Sequence, residues 1–178
     1  RNFFSCALPI LRELQFPATV FLVTGRAGKD NQWQGQYPNI PRLDLLNWHE
    51  VREASLAGID FGVPTITHPN LAHLSREELV REIIEPQRTI CDQIGHRPKA
   101  FAYPYGIRTP IAEELVSQKY EAACSVEMGL AVSGSHLYRL PRVDMYYFSR
   151  NDRFRWFGTA AFRRYVGLRR MLRQLRAH

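Results

Sequence analysis

Apolar positions along this chain switch repeatedly between two spacings, and the switching itself points to a fold class. Leu8, Ile10, Leu11 and Leu14 fall at helical spacing, and Gln15-Phe16-Pro17 ends that run. Ala18 to Val23 follows as an unbroken β-branched and aromatic stretch, the pattern of a strand buried on both faces. Residues 25–41 are polar, rich in Gly, Asn and Gln, and contain Trp33 and Tyr37. A loop of that length is often functional.

Residues 44–57 predict a helix whose inner face is Leu45, Leu46, Trp48, Val51 and Ala54, closed by Gly58. Ile59 to Val63 reads as the next strand. Ser75 and Glu78 form a capping-box start for a helix to Gly95, striped by Leu79, Ile83, Ile84, Ile90 and Ile94. Pro86 inside it predicts a kink or break. Residues 99–103 are a short strand, Thr109-Pro110 opens a helix to about Lys119, and Tyr120 to Val126 is a further strand. Residues 128–135 read as a small-residue loop and 137–145 as a last extended segment. Strand and helix alternate with short connections, which predicts a parallel α/β sheet or barrel.

From Arg153 onward, apolar residues at 154, 157, 161, 165, 168, 172 and 175 recur every three or four positions. That is an amphipathic helix with an arginine-studded outer face. It changes how the charge is read. The formal net charge is +7, yet residues 153–178 carry eight arginines and no acid, so the rest of the chain is close to neutral. The molecule is a near-neutral domain (residues 1–150) with a basic helix (151–178), not a basic protein. No nucleic-acid module accompanies the charge, so no nucleic-acid partner is expected. Contact of residues 153–176 with an anionic membrane is an open alternative to simple packing.

A length of 178 residues with no long linker, and 45% apolar content, suits one globular domain with a sizeable core. Cys6, Cys91 and Cys124 have neither metal nor disulfide spacing and read as reduced core thiols. No run of about 18 apolar residues spans a bilayer, which leaves the compartment open between cytoplasm and cell envelope.

Candidate chemistry concentrates in Gly62-Val63-Pro64-Thr65-Ile66-Thr67-His68-Pro69-Asn70-Leu71, between a strand and a capped helix. In α/β proteins that rim is where sites are built. Together with Leu8 to Val23 and Phe101-Ala102-Tyr103-Pro104-Tyr105-Gly106, the stretch resembles the polysaccharide deacetylase family (NodB homology, carbohydrate esterase family 4). Leu140-Pro141-Arg142-Val143-Asp144 is similar to a late element of some members. The resemblance covers about residues 3–148.

It implies an irregular (β/α) barrel and removal of the acetyl group from an N-acetylated sugar or polysaccharide. In the family a divalent metal, usually zinc, is held by one Asp and two His and activates water. A neighbouring Asp is the general base, and the tyrosine N–H of Pro-Tyr-Gly holds the oxyanion.

Carried over by position, His68 is one metal ligand, but the other histidine's place is taken by Pro64. Tyr105 is implied as oxyanion donor, Tyr103, Pro104 and Gly106 as the substrate groove, and Arg142 as an orienting group or a structural ion pair. His49 and His73 are conceivable substitute ligands. The family's Asp-Asp segment and first strand would lie before Arg1 and are not in this sequence. The expectation is therefore a deacetylase by descent whose zinc site and activity are lost. A non-catalytic glycan-binding or scaffold role is the alternative, with self-association through exposed sheet edges.

Overall fold

The computed structural model describes residues 2–36, 39–149 and 151–176. A wide helical turn over Phe3–Ala7, closed by the Leu8 N–H on the Phe3 carbonyl, runs into α1 (Leu8–Glu13), with Pro9 just past the junction. The chain then enters β1 (Ala18–Phe21), crosses through α2 (Trp48–Leu56) to β2 (Ile59–Gly62), and through α3 (Arg76–Ile94) to β3 (Ala100–Ala102). Next come α4 (Pro110–Lys119), β4 (Ala122–Met128) and β5 (Leu140–Arg142), then α5 (Asn151–Phe154) and α6 (Ala160–Arg176).

Every strand pairing is parallel: β1 with β2, β3 with β4, and β4 with β5. One bridge joins the two sets: the Val63 N–H donates to the Ala100 carbonyl, and the Ala102 N–H to the Val63 carbonyl, each at 2.9 Å. Spatial order thus follows chain order, and the parallel α/β reading holds. Parallel neighbours need crossovers; α2, α3 and α4 supply the first three, and residues 129–139, with no α-helix, join β4 to β5. Their apolar faces meet the strands in one core containing Val51, Phe61, Leu79, Ile83, Ile90, Phe101 and Val116.

Several expectations are corrected. The first strand stops at Phe21 and is not buried on both faces: Thr19 is exposed and its neighbours half-buried. It pairs on one side only among the described strands. The helix expected from residue 44 begins at Trp48, because Asn47 and Glu50 form a reciprocal capping box with both bonds at 2.9 Å. No break occurs at Pro86; α3 runs through it from the Ser75 box to the left-handed Gly95, with Pro86 buried. Capping at both ends and the buried stripe outweigh one lost backbone bond. The last extended segment shrinks to β5, with tight helical turns over Leu137–Arg139 and Met145–Phe148. The thiols are free, as read, but Cys6 is exposed and the other two only partly covered.

The largest correction concerns the basic helix. It is split by a turn around Gly158 (φ 80°), and α6 packs against β4 through Phe162 and Val166, which join Met128 and Phe148 in a second core. Of the stripe read from periodicity, Tyr165 packs against Phe148, but the C-terminal part points away: Leu168, Leu172 and Leu175 are 49%, 40% and 68% exposed. The docked face instead carries arginines. Arg169 lies over the Tyr147 ring at 4.4 Å and beside Tyr165, and Arg173 reaches Asp144 at 3.2 Å. Planar guanidinium groups stacked on tyrosine faces can line a contact that periodicity assigns to leucines.

Candidate functional site

The site is built on the segment that leaves β2. After the bridge at Val63 the chain turns through Pro64 and Thr65, both buried, and on to His68. Thr65 (φ 85°) and His68 (φ 62°) both have left-handed backbone without being glycine. Such strain persists only where the surroundings over-determine it, and here they do. The Thr65 Oγ1 accepts from the His68 N–H at 2.9 Å. The Glu82 carboxylate, from α3, accepts from the N–H groups of Ile66 and Thr67 at 2.9 and 3.0 Å and from the Thr67 hydroxyl at 2.9 Å. The Ile66 carbonyl accepts from the Gly25 N–H at 2.9 Å.

Glu82 is 5% exposed. Sequence reading passed over it, although an acid on the buried stripe of a capped helix was the available signal.

This scaffold presents His68 between two aromatic rings. Trp33, from the long polar loop, lies 4.8 Å away, tilted at 43°. Tyr105 meets the other side edge-on at 4.9 Å. Trp33 is the second residue that sequence reading left without a role. Covered in this way, the imidazole is pushed below the ordinary histidine pKa by burial, its own backbone opposing the shift in part. It is neutral at physiological pH. Its Nδ1 and the Trp33 Nε1 are both buried without a hydrogen-bond partner among the described residues.

Tyr105 is set by the Pro104–Gly106 turn, with its own backbone left-handed (φ 56°) and its hydroxyl donating to the Gln34 carbonyl at 3.4 Å. Gly106 (φ 72°) must be glycine, since a Cβ there would collide with Val126. Trp33 and Tyr105 line a cavity of ≈ 840 Å³, with Arg26, Thr67, Asn70 and His73 also on its wall. A second cavity of ≈ 930 Å³ lies beyond Gly106. Its charges are spent on one another: Glu113 pairs with Arg139 at 2.9 Å and with Arg108 at 3.5 Å.

The other residues singled out from sequence fall as follows. Tyr103 is 2% exposed, its ring packed edge-on against Phe101 at 5.3 Å, so it offers no stacking face. Burial raises its hydroxyl pKa, and Glu113 adds to the effect. Pro104 is buried as well, which leaves Tyr105 and Gly106 as the accessible part of that motif. Arg142 sits on β5 and donates from Nε to the Ser125 carbonyl at 2.7 Å. His49 is exposed, 3.6 Å from Glu53, and His73 is an exposed residue of the cavity wall.

These residues do not fit a catalytic metal. The Pro64 side chain has no donor atom, the buried Glu82 carboxylate is committed to the loop backbone, and no group of three His, Cys, Asp or Glu forms a metal-binding set among the described residues. Catalytic zinc sites use three protein ligands.

The polysaccharide deacetylase family model matches residues 1–122. The chain is 25% identical over 150 residues to the poly-β-1,6-N-acetyl-D-glucosamine N-deacetylase of Staphylococcus aureus, an alignment covering 77% of this chain and 48% of that protein. It thus spans about half the length of the curated relatives it matches. Among solved structures it is similar to the Streptococcus pyogenes deacetylase PplD in complex with acetate. There the TM-score is 0.68 and the identity 22%, over 80% of this chain and 58% of that one. It also resembles IcaB from Ammonifex degensii (TM-score 0.66, 17% identity, 80% and 62% covered). A third likeness is to BA3943 of Bacillus anthracis, described as a family 4 pseudoenzyme (TM-score 0.54, 19% identity, 72% and 40% covered).

Proposed function

The chain belongs to the polysaccharide deacetylase family, and from that membership we propose that it is a deacetylase by descent that retains a glycan groove and lacks the metal chemistry. The family's reaction is hydrolysis of the amide C–N bond of an N-acetylated sugar. The observation that carries the reading is Pro64: it occupies a metal-histidine position beside a His68 clasped by Trp33 and Tyr105. The described sheet is then part of the family's irregular (β/α) barrel, with the site at the carboxyl ends of β2 and β3.

In this reading an N-acetylated hexosamine polymer lies in the ≈ 840 Å³ cavity. The Trp33 and Tyr105 rings take the apolar face of a sugar, and the Tyr105 N–H meets the acetyl carbonyl. Its relatives in Staphylococcus aureus are named for β-1,6-linked N-acetylglucosamine, and the relative described as a pseudoenzyme supplies a precedent for lost activity. The test is titration with a β-1,6-N-acetylglucosamine oligomer, with and without EDTA, alongside an assay for released acetate with added zinc. Binding that EDTA leaves unchanged, weakened about tenfold by Trp33→Ala, with no acetate released, is expected. Metal-dependent acetate release overturns it.

A further inference from the structure

Two stripes run along α6, and only one has a partner. Phe162, Tyr165, Val166, Arg169 and Arg173 fall at i, i+3, i+4, i+7 and i+11 and face the second core and Tyr147. Leu168, Met171, Leu172 and Leu175, at i, i+3, i+4 and i+7, form a second stripe on another side, with Met171 51% exposed like its leucine neighbours. The helix cannot roll to bury them without breaking the Arg169 and Arg173 stacks and withdrawing Phe162 from its contacts with Phe148 and Phe157. An amphipathic helix has here docked by its arginine-bearing face and left its leucines outside.

We propose that this outward stripe of α6 docks on the surface of an anionic phospholipid membrane. Charge complementarity selects that occupant. No acid occurs from Arg153 to Arg176, and Arg163, Arg164 and Arg170 are exposed, Arg164 one turn before Leu168. An apolar stripe headed by Arg164, on a helix whose other exposed arginines, Arg163 and Arg170, lie on its far side and add to its positive field, matches a surface with phosphate at one depth and acyl chain just beneath.

A second copy of the chain fits poorly, because a two-fold contact on this stripe would set two helices against each other that carry arginines and no acid from Arg153 to Arg176. A soluble polyanion would satisfy the arginines and leave the leucines in water. Trp156, in the turn before α6 and 41% exposed, is the residue type favoured at the interface level. The helix lies along the surface; no helix among the described residues is long and apolar enough to cross a bilayer.

Co-sedimentation of the whole chain with vesicles of phosphatidylcholine, with and without phosphatidylglycerol, tests this. Binding should need the anionic lipid and weaken as salt is added. It should drop about fivefold for Arg164→Gln, less for Arg163→Gln or Arg170→Gln on the far side of the helix, and vanish in Leu168→Glu/Leu172→Glu with the circular dichroism unchanged. If that pair fails to fold, Leu168→Ser/Leu172→Ser reads the same stripe. Absence of binding to anionic vesicles, equal binding to neutral vesicles, or binding indifferent to the leucine changes overturns the proposal. So does a lipid-independent dimer in sedimentation equilibrium that Leu172→Glu dissociates.

Discussion

The Trp33 indole closes over the His68 imidazole at 4.8 Å, and the imidazole Nδ1 is buried with no hydrogen-bond partner among the described residues. On the function proposed above, Pro64 stands at the co-ligand position and the covered histidine belongs to a binding surface in place of a metal site. The consequences can be measured one residue at a time.

His68 couples this arrangement to pH. Its folded pKa lies below the ordinary histidine value because burial penalises the charged form. As pH falls through about 6.5, the unfolded chain takes up a proton that the folded chain does not. Stability from this group is therefore complete above the unfolded value and declines with acidification until the folded imidazole itself titrates. Urea midpoints from about pH 8 to about pH 5 should fall further for the wild type than for His68→Phe, which keeps a ring and loses the titration. Parallel curves would refute the buried neutral imidazole.

Glu82 holds the strained loop by three bonds. Glu82→Ala strands two backbone donors and should cost about 3 kcal/mol. Glu82→Gln, with one acceptor oxygen in place of two, should fall between. Chemical denaturation reads both, and hydrogen exchange at Ile66 and Thr67 should rise selectively in the alanine variant. A loss under about 1 kcal/mol would remove Glu82 from this role.

Gly106 and Val126 form a steric pair. Gly106→Ala is expected to destabilise by about 2–4 kcal/mol, part from the left-handed backbone and part from the clash. Adding Val126→Ala should return the clash component, so the double change costs less than the sum of the single ones. Strict additivity in the cycle would show that no contact exists.

Pro64→His tests the lost ligand. It restores a second imidazole to the loop and should make zinc uptake detectable by competition with a chromophoric chelator, where the wild type shows none. Zinc bound equally by both would mean that the ligands lie elsewhere.

Local rules in the sequence determined most of the element list. The Ser75 box, the Thr109-Pro110 start and the run of short apolar segments are interactions among neighbours in the chain, so they are legible without coordinates. Family resemblance likewise located His68, Pro64 and Tyr105 on the rim. Long-range relations were another matter. That Trp33 covers His68, that Glu82 spends its charge on a loop 15 and 16 residues away, and that Tyr103 turns into the core are set by which segments the parallel sheet brings together.

The basic helix shows the limit most sharply. Periodicity marks the segment as amphipathic, but it shows neither the turn at Gly158 nor which face docks. Tyr147 and Tyr165 offered ring faces to Arg169 and Arg173, and only the folded chain places those rings beneath the helix. A hydrophobic pattern ranks faces by their own affinity for water; tertiary structure ranks them by the partner each one meets.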